Sequence, residues 1–276
     1  MILGRTEKRL GFALISILAL VWLVPIAMML SVSFMPPDQR APKFGGLFIQ
    51  GLSLQNYVTV FHDAPMLLHF VNSLVITLST VVLVVFFGSL AAYAFARMHF
   101  LAKEFWFYLL ILTLMLPIPA LIVPIFQINR SLGLTNNYLG LILPYTALGT
   151  PFAIIILRSF FEALPKELEE AALLEGCSRF DIYWRIVMPL SWPAISVVVI
   201  FQFMTSFNEF ILALVTIDQT PLKPLTLVPL VYAGQFMARP GSMFAILTLI
   251  TVPVIVMYLA MQRFMIRGLT AGATKG

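Results

Sequence analysis

Residues 64–96 read APMLLHFVNSLVITLSTVVLVVFFGSLAAYAFA, a run of 33 residues without Asp, Glu, Lys or Arg. An α-helix needs about 20 apolar residues to cross roughly 30 Å of bilayer hydrocarbon, so this run predicts a transmembrane helix. Of all 276 residues, 61% are apolar and 11% are charged, whereas soluble domains are about 45–50% apolar and about 25% charged. This composition excludes a soluble globular enzyme, a disordered chain and a disulfide-rich scaffold.

Five further stretches are long, apolar and poor in charge. They are Leu10–Met35, Phe105–Asn129, Ser131–Leu157, Ile186–Ile217 and Pro240–Gln262. Together the six stretches predict an all-α, polytopic membrane protein whose single transmembrane domain covers residues 1–276. The predicted helices lie near residues 10–35, 66–96, 105–129, 138–160, 191–217 and 241–263.

The distribution of Lys and Arg predicts the orientation, because short loops rich in these residues stay in the cytoplasm. With the N-terminus inside, twelve of the seventeen basic residues fall in inner segments. The other five, Arg40, Lys43, Arg130, Lys223 and Arg239, fall outside. Both termini are therefore expected in the cytoplasm, and the net charge of +5 reflects topology rather than nucleic-acid binding.

The first apolar stretch follows basic residues, as in a secretory signal peptide. Its length of about 25 residues exceeds the usual 7–15 of a signal core, so we expect an uncleaved anchor. Between the first two spans, residues 36–65 predict a small extracytoplasmic cap. The single cysteine, Cys177, falls in a cytoplasmic loop, where a reduced thiol is expected.

The cytoplasmic segment 161–189 concentrates charge that the rest of the chain lacks. Six of the twelve acids lie between Arg158 and Pro189. Pro165 suits a helix start and Gly176 a helix end, and Ser178 with Asp181 forms a capping-box-like second start. The pattern predicts a helix, a glycine turn and a second helix that Pro189 ends. Ala171 and Ala172 are expected to form a flat patch that another protein could approach closely.

The same segment resembles the EAA loop of bacterial ABC importer permeases. Glu170-Ala171-Ala172 is followed after three residues by Gly176, after nine more by Ile186, and then by Met188-Pro189. Only Met188 departs from the family pattern, which has Leu there. Residues 54–57, 72–74 and 267–276 are similar to the carbohydrate-uptake branch, and most closely to the smaller six-span permease of maltose-type importers.

This resemblance implies the type I importer permease fold in a bacterial inner membrane. It implies a second permease subunit, with a heterodimer expected, two cytoplasmic ATPase subunits and an extracytoplasmic solute-binding protein. The family's EAA loop docks on an ATPase subunit, which assigns the coupling role to Glu170, Ala171, Ala172, Gly176, Ile186 and Pro189. The C-terminal tail would reach between the ATPase subunits. ATP and Mg would bind to those subunits and no cofactor to this chain, and a sugar or a glycerol phosphate-like polyol would be the cargo.

Polar residues inside the spans point to a substrate pathway, because buried ionisable groups in a bilayer usually line a cavity. Glu209 is the one formal charge well inside a span. The predicted pathway residues are Gln202, Thr205, Ser206, Asn208 and Glu209 in the fifth span and Asn72 in the second. Hydrogen bonding between helices is the alternative for this polar face.

Span two also has small residues at Gly88, Ala92 and Ala96, a spacing typical of close helix packing. Five prolines in spans three and four, at positions 117, 119, 124, 144 and 151, predict kinks.

No catalytic or metal site is expected. The chain has no Walker-type glycine loop, no HExxH and no GxSxG, and its histidines are isolated, His69 among them. Two alternatives stay open at this point. An ATP-independent secondary transporter would use Glu209 for ion coupling, and an ABC permease could import a solute other than a sugar. A membrane enzyme would need clustered catalytic groups inside the spans.

Overall fold

The computed structural model describes residues 5–37, 39, 51–231 and 240–273. Within these ranges the chain is helical and contains no β-strand, which agrees with the predicted all-α class. The helices are α1 (Arg5–Ser33), α2 (Gln55–Asp63), α3 (Met66–Arg97), α4 (Lys103–Leu112), α5 (Ile118–Ser131), α6 (Leu139–Ala163), α7 (Lys166–Leu174), α8 (Arg179–Ile182), α9 (Met188–Leu190), α10 (Trp192–Phe207), α11 (Ile211–Thr216), α12 (Val228–Val231) and α13 (Pro240–Ala273). A π-helical turn, Tyr183–Val187, joins α8 to α9.

Four helices, α1, α3, α6 and α13, are long and apolar enough to cross a membrane. Two pairs of helices meet the same criterion together but are bent: α4 with α5 by 104°, and the α8–α9 segment with α10 by 77°. Counting each bent pair as one span gives six candidate spans in the described part of the chain, the number that the sequence predicts.

The bend in the third span lies at a proline, as predicted. Leu116 has an extended backbone, because the residue before a proline is pushed out of the helical region. Helix α5 starts at Ile118, immediately after Pro117. Pro124, Pro144 and Pro151 lie inside continuous helices. Pro117 therefore interrupts its span, whereas these three prolines do not end the helices that contain them.

The predicted fifth span, residues 191–217, is not one helix. Helix α10 ends at Phe207 and α11 begins at Ile211. The carboxylate of Glu209 lies in this break and accepts hydrogen bonds from the backbone N–H groups of Leu212 (2.9 Å) and Ala213 (3.1 Å). The side chain thus satisfies free donors at the start of α11, which is what allows a new helix to begin there.

The described residues divide into two compact units, one of residues up to Met66 with Val228–Val252, the other of Leu67–Leu227 with residues from Pro253 on. In the first unit, Asn56 of α2 donates its amide to the carbonyls of Ser33 (3.0 Å) and Met35 (2.7 Å). The Tyr57 hydroxyl lies 2.8 Å from the Ser33 hydroxyl. These contacts fix α2 to the end of α1. Residue 38 and residues 40–50 of the predicted outer cap lie outside the described residues.

The second unit has two apolar cores. One lies toward the cytoplasmic end and includes Tyr93 of α3, Phe161 of α6 and Tyr183 of the π-helical turn. The other packs Tyr145 of α6 against α11 and the segment that follows it. Helices α3 and α6 approach closely, since a Cβ on Gly88 would lie 2.8 Å from the Ala153 Cβ. This contact confirms close packing at the small-residue spacing of span two.

Helix α13 continues to Ala273, ten residues past the predicted end of the last span near residue 263. Three predicted outer basic residues, Arg40, Lys43 and Arg239, and the tail end 274–276 lie outside the described residues.

Candidate functional site

In the cytoplasmic loop (residues 161–189), the end of α6 extends to Ala163. The first new helix of the loop is α7, which starts after Pro165 as predicted. Gly176 ends it with a φ of +86°. The Gly176 N–H donates to Leu173 O (3.0 Å) and the Cys177 N–H to Ala172 O (3.0 Å), the two bonds of a Schellman cap. No atom lies within 4 Å of a Cβ built on Gly176. Backbone conformation, and not lack of space, therefore requires glycine.

The second helix of the loop starts with the predicted capping box. Ser178 accepts from the Asp181 N–H (3.2 Å), and the Asp181 carboxylate accepts from the Ser178 N–H (3.2 Å) and hydroxyl. The hydroxyl bond and then the backbone bond hold the pKa of the Asp181 carboxyl below its ordinary value. The turn between α7 and α8 is therefore fixed on both sides of Gly176.

The prediction that Pro189 ends this helix is wrong. The chain passes through the π-helical turn, and α9 continues through Pro189 to Leu190. The Met188 N–H donates to Tyr183 O, five residues back. Pro189 lacks an N–H, but it lies in the first turn of α9, where that loss is tolerated. The bend of 77° follows at Ser191.

The EAA residues do not share one surface. Glu170 and Ala171 are exposed, whereas Ala172 is 7% exposed and belongs to the inner core with Phe161 and Tyr183. The predicted flat patch of two alanines is therefore wrong for Ala172, because its small side chain is used for packing within the chain. Ile186 is half-buried and Pro189 is exposed.

Large apolar side chains occupy the outward surface of the loop instead. Leu173, Leu174, Phe180 and Trp184 are 47%, 90%, 67% and 55% exposed. Sequence reasoning missed them, although bulky apolar residues among charges at 173–174 and at the i, i+4 pair 180 and 184 are a detectable signal. These four side chains make the exposed surface of this otherwise polar segment partly apolar.

The polar residues of the fifth span line a cavity of about 220 Å³ between α4–α5, α6 and α10–α11. Its walls include Leu114, Ile118, Tyr145, Leu148, Gly149, Phe152, Phe201, Gln202, Thr205, Ser206, Glu209 and Leu212. The structure thus brings together four predicted pathway residues, Gln202, Thr205, Ser206 and Glu209. Tyr145, Phe152 and Phe201, which the sequence does not mark as site residues, complete the walls.

Hydrogen bonds fix the polar side of this cavity. Tyr145 donates its hydroxyl to Glu209 Oε2 (2.6 Å), and Gln202 Nε2 donates to Ser206 Oγ (2.7 Å). Gly149 faces Gln202, whose amide occupies the space that a Cβ would need. The rings of Phe152 and Phe201 stack with centroids 4.0 Å apart. The result is a small, partly open cavity whose walls are mainly apolar and aromatic, with a few polar groups.

Two predicted pathway residues lie elsewhere. Asn208 is exposed and donates its amide to Met204 O (2.8 Å), so it caps the end of α10. Asn72 is 2% exposed and donates to the carbonyls of Pro221 (2.8 Å) and Lys223 (3.0 Å). Both amides hold backbone, and neither residue is among those that line the cavity.

The geometry combines membrane-spanning helices, a mainly apolar cavity with a few polar groups, and an exposed cytoplasmic loop. A family model, the binding-protein-dependent transport system inner membrane component, matches residues 84–270. The chain belongs to this family. As an inner-membrane permease subunit of an ABC importer, it is a transport protein, which decides against the secondary-transporter alternative.

Curated relatives match the permease over nearly its whole length. It is 34% identical to the sulfoquinovosyl glycerol transport system permease protein SmoH of Agrobacterium fabrum, over 98% of this chain and 94% of the relative. It is also 34% identical to the trehalose transport system permease protein SugB of Mycobacterium tuberculosis, over 92% and 93%.

A solved structure shares the fold. The crystal structure of a bacterial ABC transporter involved in the import of the acidic polysaccharide alginate aligns with a TM-score of 0.79, 96% coverage of this permease and 99% of that chain, at 23% identity. The permease therefore has the type I importer fold that the EAA resemblance implies.

Proposed function

We propose that this permease forms half of an alternating-access pathway for a sugar, an oligosaccharide or a glycerol phosphate-like polyol. The named relatives transport sulfoquinovosyl glycerol and trehalose, both of which contain sugar rings. This support extends to the class of solute and not to one compound.

The cavity beside Glu209 suits such a solute. Gln202, Thr205 and Ser206 offer an amide and two hydroxyls, and Tyr145 and Phe152 offer aromatic faces. Amides and hydroxyls bond sugar hydroxyls, and aromatic faces pack against the apolar faces of the rings. Its volume of about 220 Å³ is below the roughly 300 Å³ of a complete ligand site. We expect the second permease subunit to supply the rest.

The energy source in this proposal is external to the chain. Two cytoplasmic ATPase subunits would bind and hydrolyse ATP with Mg, and a solute-binding protein would deliver the solute outside. The second permease subunit would be a related, non-identical chain. The ATPase subunits would bind the cytoplasmic loop, where Glu170, Ala171, Gly176, Ile186 and Pro189 retain the coupling role and Ala172 acts through packing.

The fixed shape of this loop is the observation that supports docking most directly. The Schellman cap and the capping box hold the turn, and four large apolar side chains point away from the core. An exposed apolar surface on a pre-organised element costs little entropy when a partner covers it.

The solute class is tested with the purified complex in liposomes, with its binding protein outside and ATP inside. Uptake of radiolabelled disaccharides, oligosaccharides and glycerol phosphate is compared with uptake of amino acids and sulfate. We expect ATP-dependent accumulation of a compound from the first group. Accumulation of an amino acid or an inorganic anion alone would refute the carbohydrate assignment.

The docking claim predicts that Gly176→Val abolishes transport. A β-branched residue at a φ of +86° is strained by roughly 1–2 kcal/mol or more, so the turn should open. The variant should insert into the membrane in normal amount but lose co-purification with the ATPase subunits. Gly133→Ala, at another positive-φ glycine on the outer side, is the control. Full uptake by the Gly176 variant would contradict docking through this turn.

A further inference from the structure

One polar stripe of α3 holds the cytoplasmic loop. Ser89, Tyr93 and Arg97 are spaced four residues apart and therefore share a helix face. The Ser89 and Tyr183 hydroxyls are 2.7 Å apart. The Tyr93 hydroxyl lies 3.4 Å from Glu169 Oε2. These contacts connect α3 both to the first helix of the loop and to its π-helical turn.

Arg97 makes the strongest of these contacts. Its Nε donates to Glu169 Oε1 (2.6 Å) and its guanidinium also donates to Leu164 O (2.8 Å). The side chains of Arg97 and Glu169 are 6% and 15% exposed. A buried ion pair is weak evidence for stability, but the loss of one partner leaves the other charge buried and uncompensated. The pair therefore holds α7 against the end of α3.

The opposite end of α3 holds a second segment. His69 Nδ1 donates to Lys223 O (2.7 Å), and Asn72 donates to the Pro221 and Lys223 carbonyls. The Leu225 N–H donates to Ser73 Oγ (2.8 Å). These bonds attach the outer segment (residues 217–227), which connects α11 to the sixth span. His69, Asn72 and Ser73 are each buried, so the attachment is not a loose surface contact.

Between the two attachments α3 is one continuous helix. Its 32 residues span about 48 Å at 1.5 Å per residue. Its sequence has no proline, and although it contains Gly88-Ser89, a pair of a type at which helices can kink, residues 66–97 form one continuous helix. A stiff element attached at both ends transmits displacement of one end to the other, whereas a kinked or loosely attached helix does not.

We propose that α3 is a connecting helix that couples the cytoplasmic loop to the outer segment, with Arg97, Glu169 and Ser73 as positioning residues. The inference rests on the proposed function, in which ATPase subunits bind the loop and a solute-binding protein approaches from outside. Movement of the cytoplasmic loop would then shift the outer segment. By the same coupling, binding of the solute-binding protein at the outer face would change the position of the loop that the ATPase subunits bind.

The test is a double-mutant cycle on the complete complex in nanodiscs. Arg97→Gln removes the inner ion pair, Ser73→Ala removes an outer acceptor, and a third variant combines them. The readout is the ratio of ATPase rates with and without solute-loaded binding protein. Each single change should lower this ratio roughly 2- to 30-fold, the range typical of coupling networks, and the double variant should lower it no further than the larger single change.

The control is Thr80→Val, which should leave the ratio unchanged. It removes a hydroxyl whose one hydrogen bond, among the residues that the structure describes, goes to Ile76 O within α3. Arg97→Lys, which keeps a cation able to donate to Glu169 and to the Leu164 carbonyl, should retain much of the ratio, which separates a positioning role from failed folding. Multiplicative effects in the double variant, or unchanged ratios in both single variants, would overturn the proposal. Absence of stimulation in the wild-type complex would instead refute the proposed function.

Discussion

At the residue scale, the structure adds a structural role for Glu209 to the pathway role that the sequence predicts. The sequence presents it as the one acid well inside a span, poised to line a pathway or to couple an ion. The structure places it in a cavity wall and gives its carboxylate three donors: the Tyr145 hydroxyl and the N–H groups of Leu212 and Ala213. Glu209 therefore organises the cavity as well as facing it.

We predict that Glu209→Ala destabilises the complex and suppresses substrate-stimulated ATPase activity. The substitution leaves the three donors without their acceptor, and each orphaned group costs about 1–3 kcal/mol when buried. Thermal unfolding and ATPase assays on the purified complex measure the two effects. Glu209→Gln should be intermediate, because it keeps one acceptor oxygen. Asn208→Ala is the neighbouring control. If the Glu209→Ala complex proves as stable and as responsive as that control, Glu209 has only a passive role.

Single residues also mark how far sequence reasoning extends. The sequence predicts Gly176 and the Ser178–Asp181 pair correctly, since a turn and a cap depend on neighbours in the chain. It misplaces Asn72 and Ala172 because their partners, Pro221 and the inner core, lie far away in sequence. A buried amide in a span looks the same whether it faces a solute or a backbone carbonyl.

At the element scale, the breaks in the third and fifth spans also differ in whether their cause is local or distant in sequence. The break at Pro117 has a local cause, the proline itself, so the sequence predicts it. The break at residues 208–210 contains neither Pro nor Gly. It depends on Tyr145 and on Thr226, whose hydroxyl donates to Glu209 O (3.0 Å). Contacts from other elements stabilise this break, so an apolar pattern alone predicts one uninterrupted span.

The capping box predicts a pH dependence for the second helix of the loop. Hydrogen bonds from Ser178 lower the pKa of Asp181 in the folded loop, so the cap favours the ionised form. Its stabilisation is complete above the ordinary aspartate pKa, about 3.9, and is lost as the pH falls through the lower folded-state value.

Hydrogen-exchange protection of residues 179–190, corrected for the intrinsic rate, measures this effect in the purified complex. Protection should decline over that acidic range in the wild type and stay level in Asp181→Asn, which has no group to titrate there. Glu175→Gln, at an exposed acid beside Gly176, should keep the wild-type profile. An acid-dependent decline that persists in Asp181→Asn would assign the titration to another group.

At the scale of the whole molecule, the environment of the chain is predicted from composition rather than from any single motif. An apolar share of 61% indicates that the chain is surrounded by a lipid bilayer. Because apolar side chains can face lipid, large side chains such as Phe12 and Trp22 of α1 are 75% and 78% exposed. The sequence does not predict the division into two units, because that division depends on which distant helices pack together.

The chain contains a native probe of its orientation. Cys177 is the single cysteine, and it is partly exposed in the cytoplasmic loop. A membrane-impermeant maleimide should therefore label the permease in inside-out vesicles and not in intact spheroplasts. Docking of an ATPase subunit on the loop should also slow this labelling, because Cys177 directly follows the Gly176 turn. The matched control is Val58→Cys in a Cys177→Ser background, which places an exposed thiol on α2 and should react only from outside. Labelling of Cys177 in spheroplasts would reverse the orientation, and with it the assignment of the loop to the ATPase side.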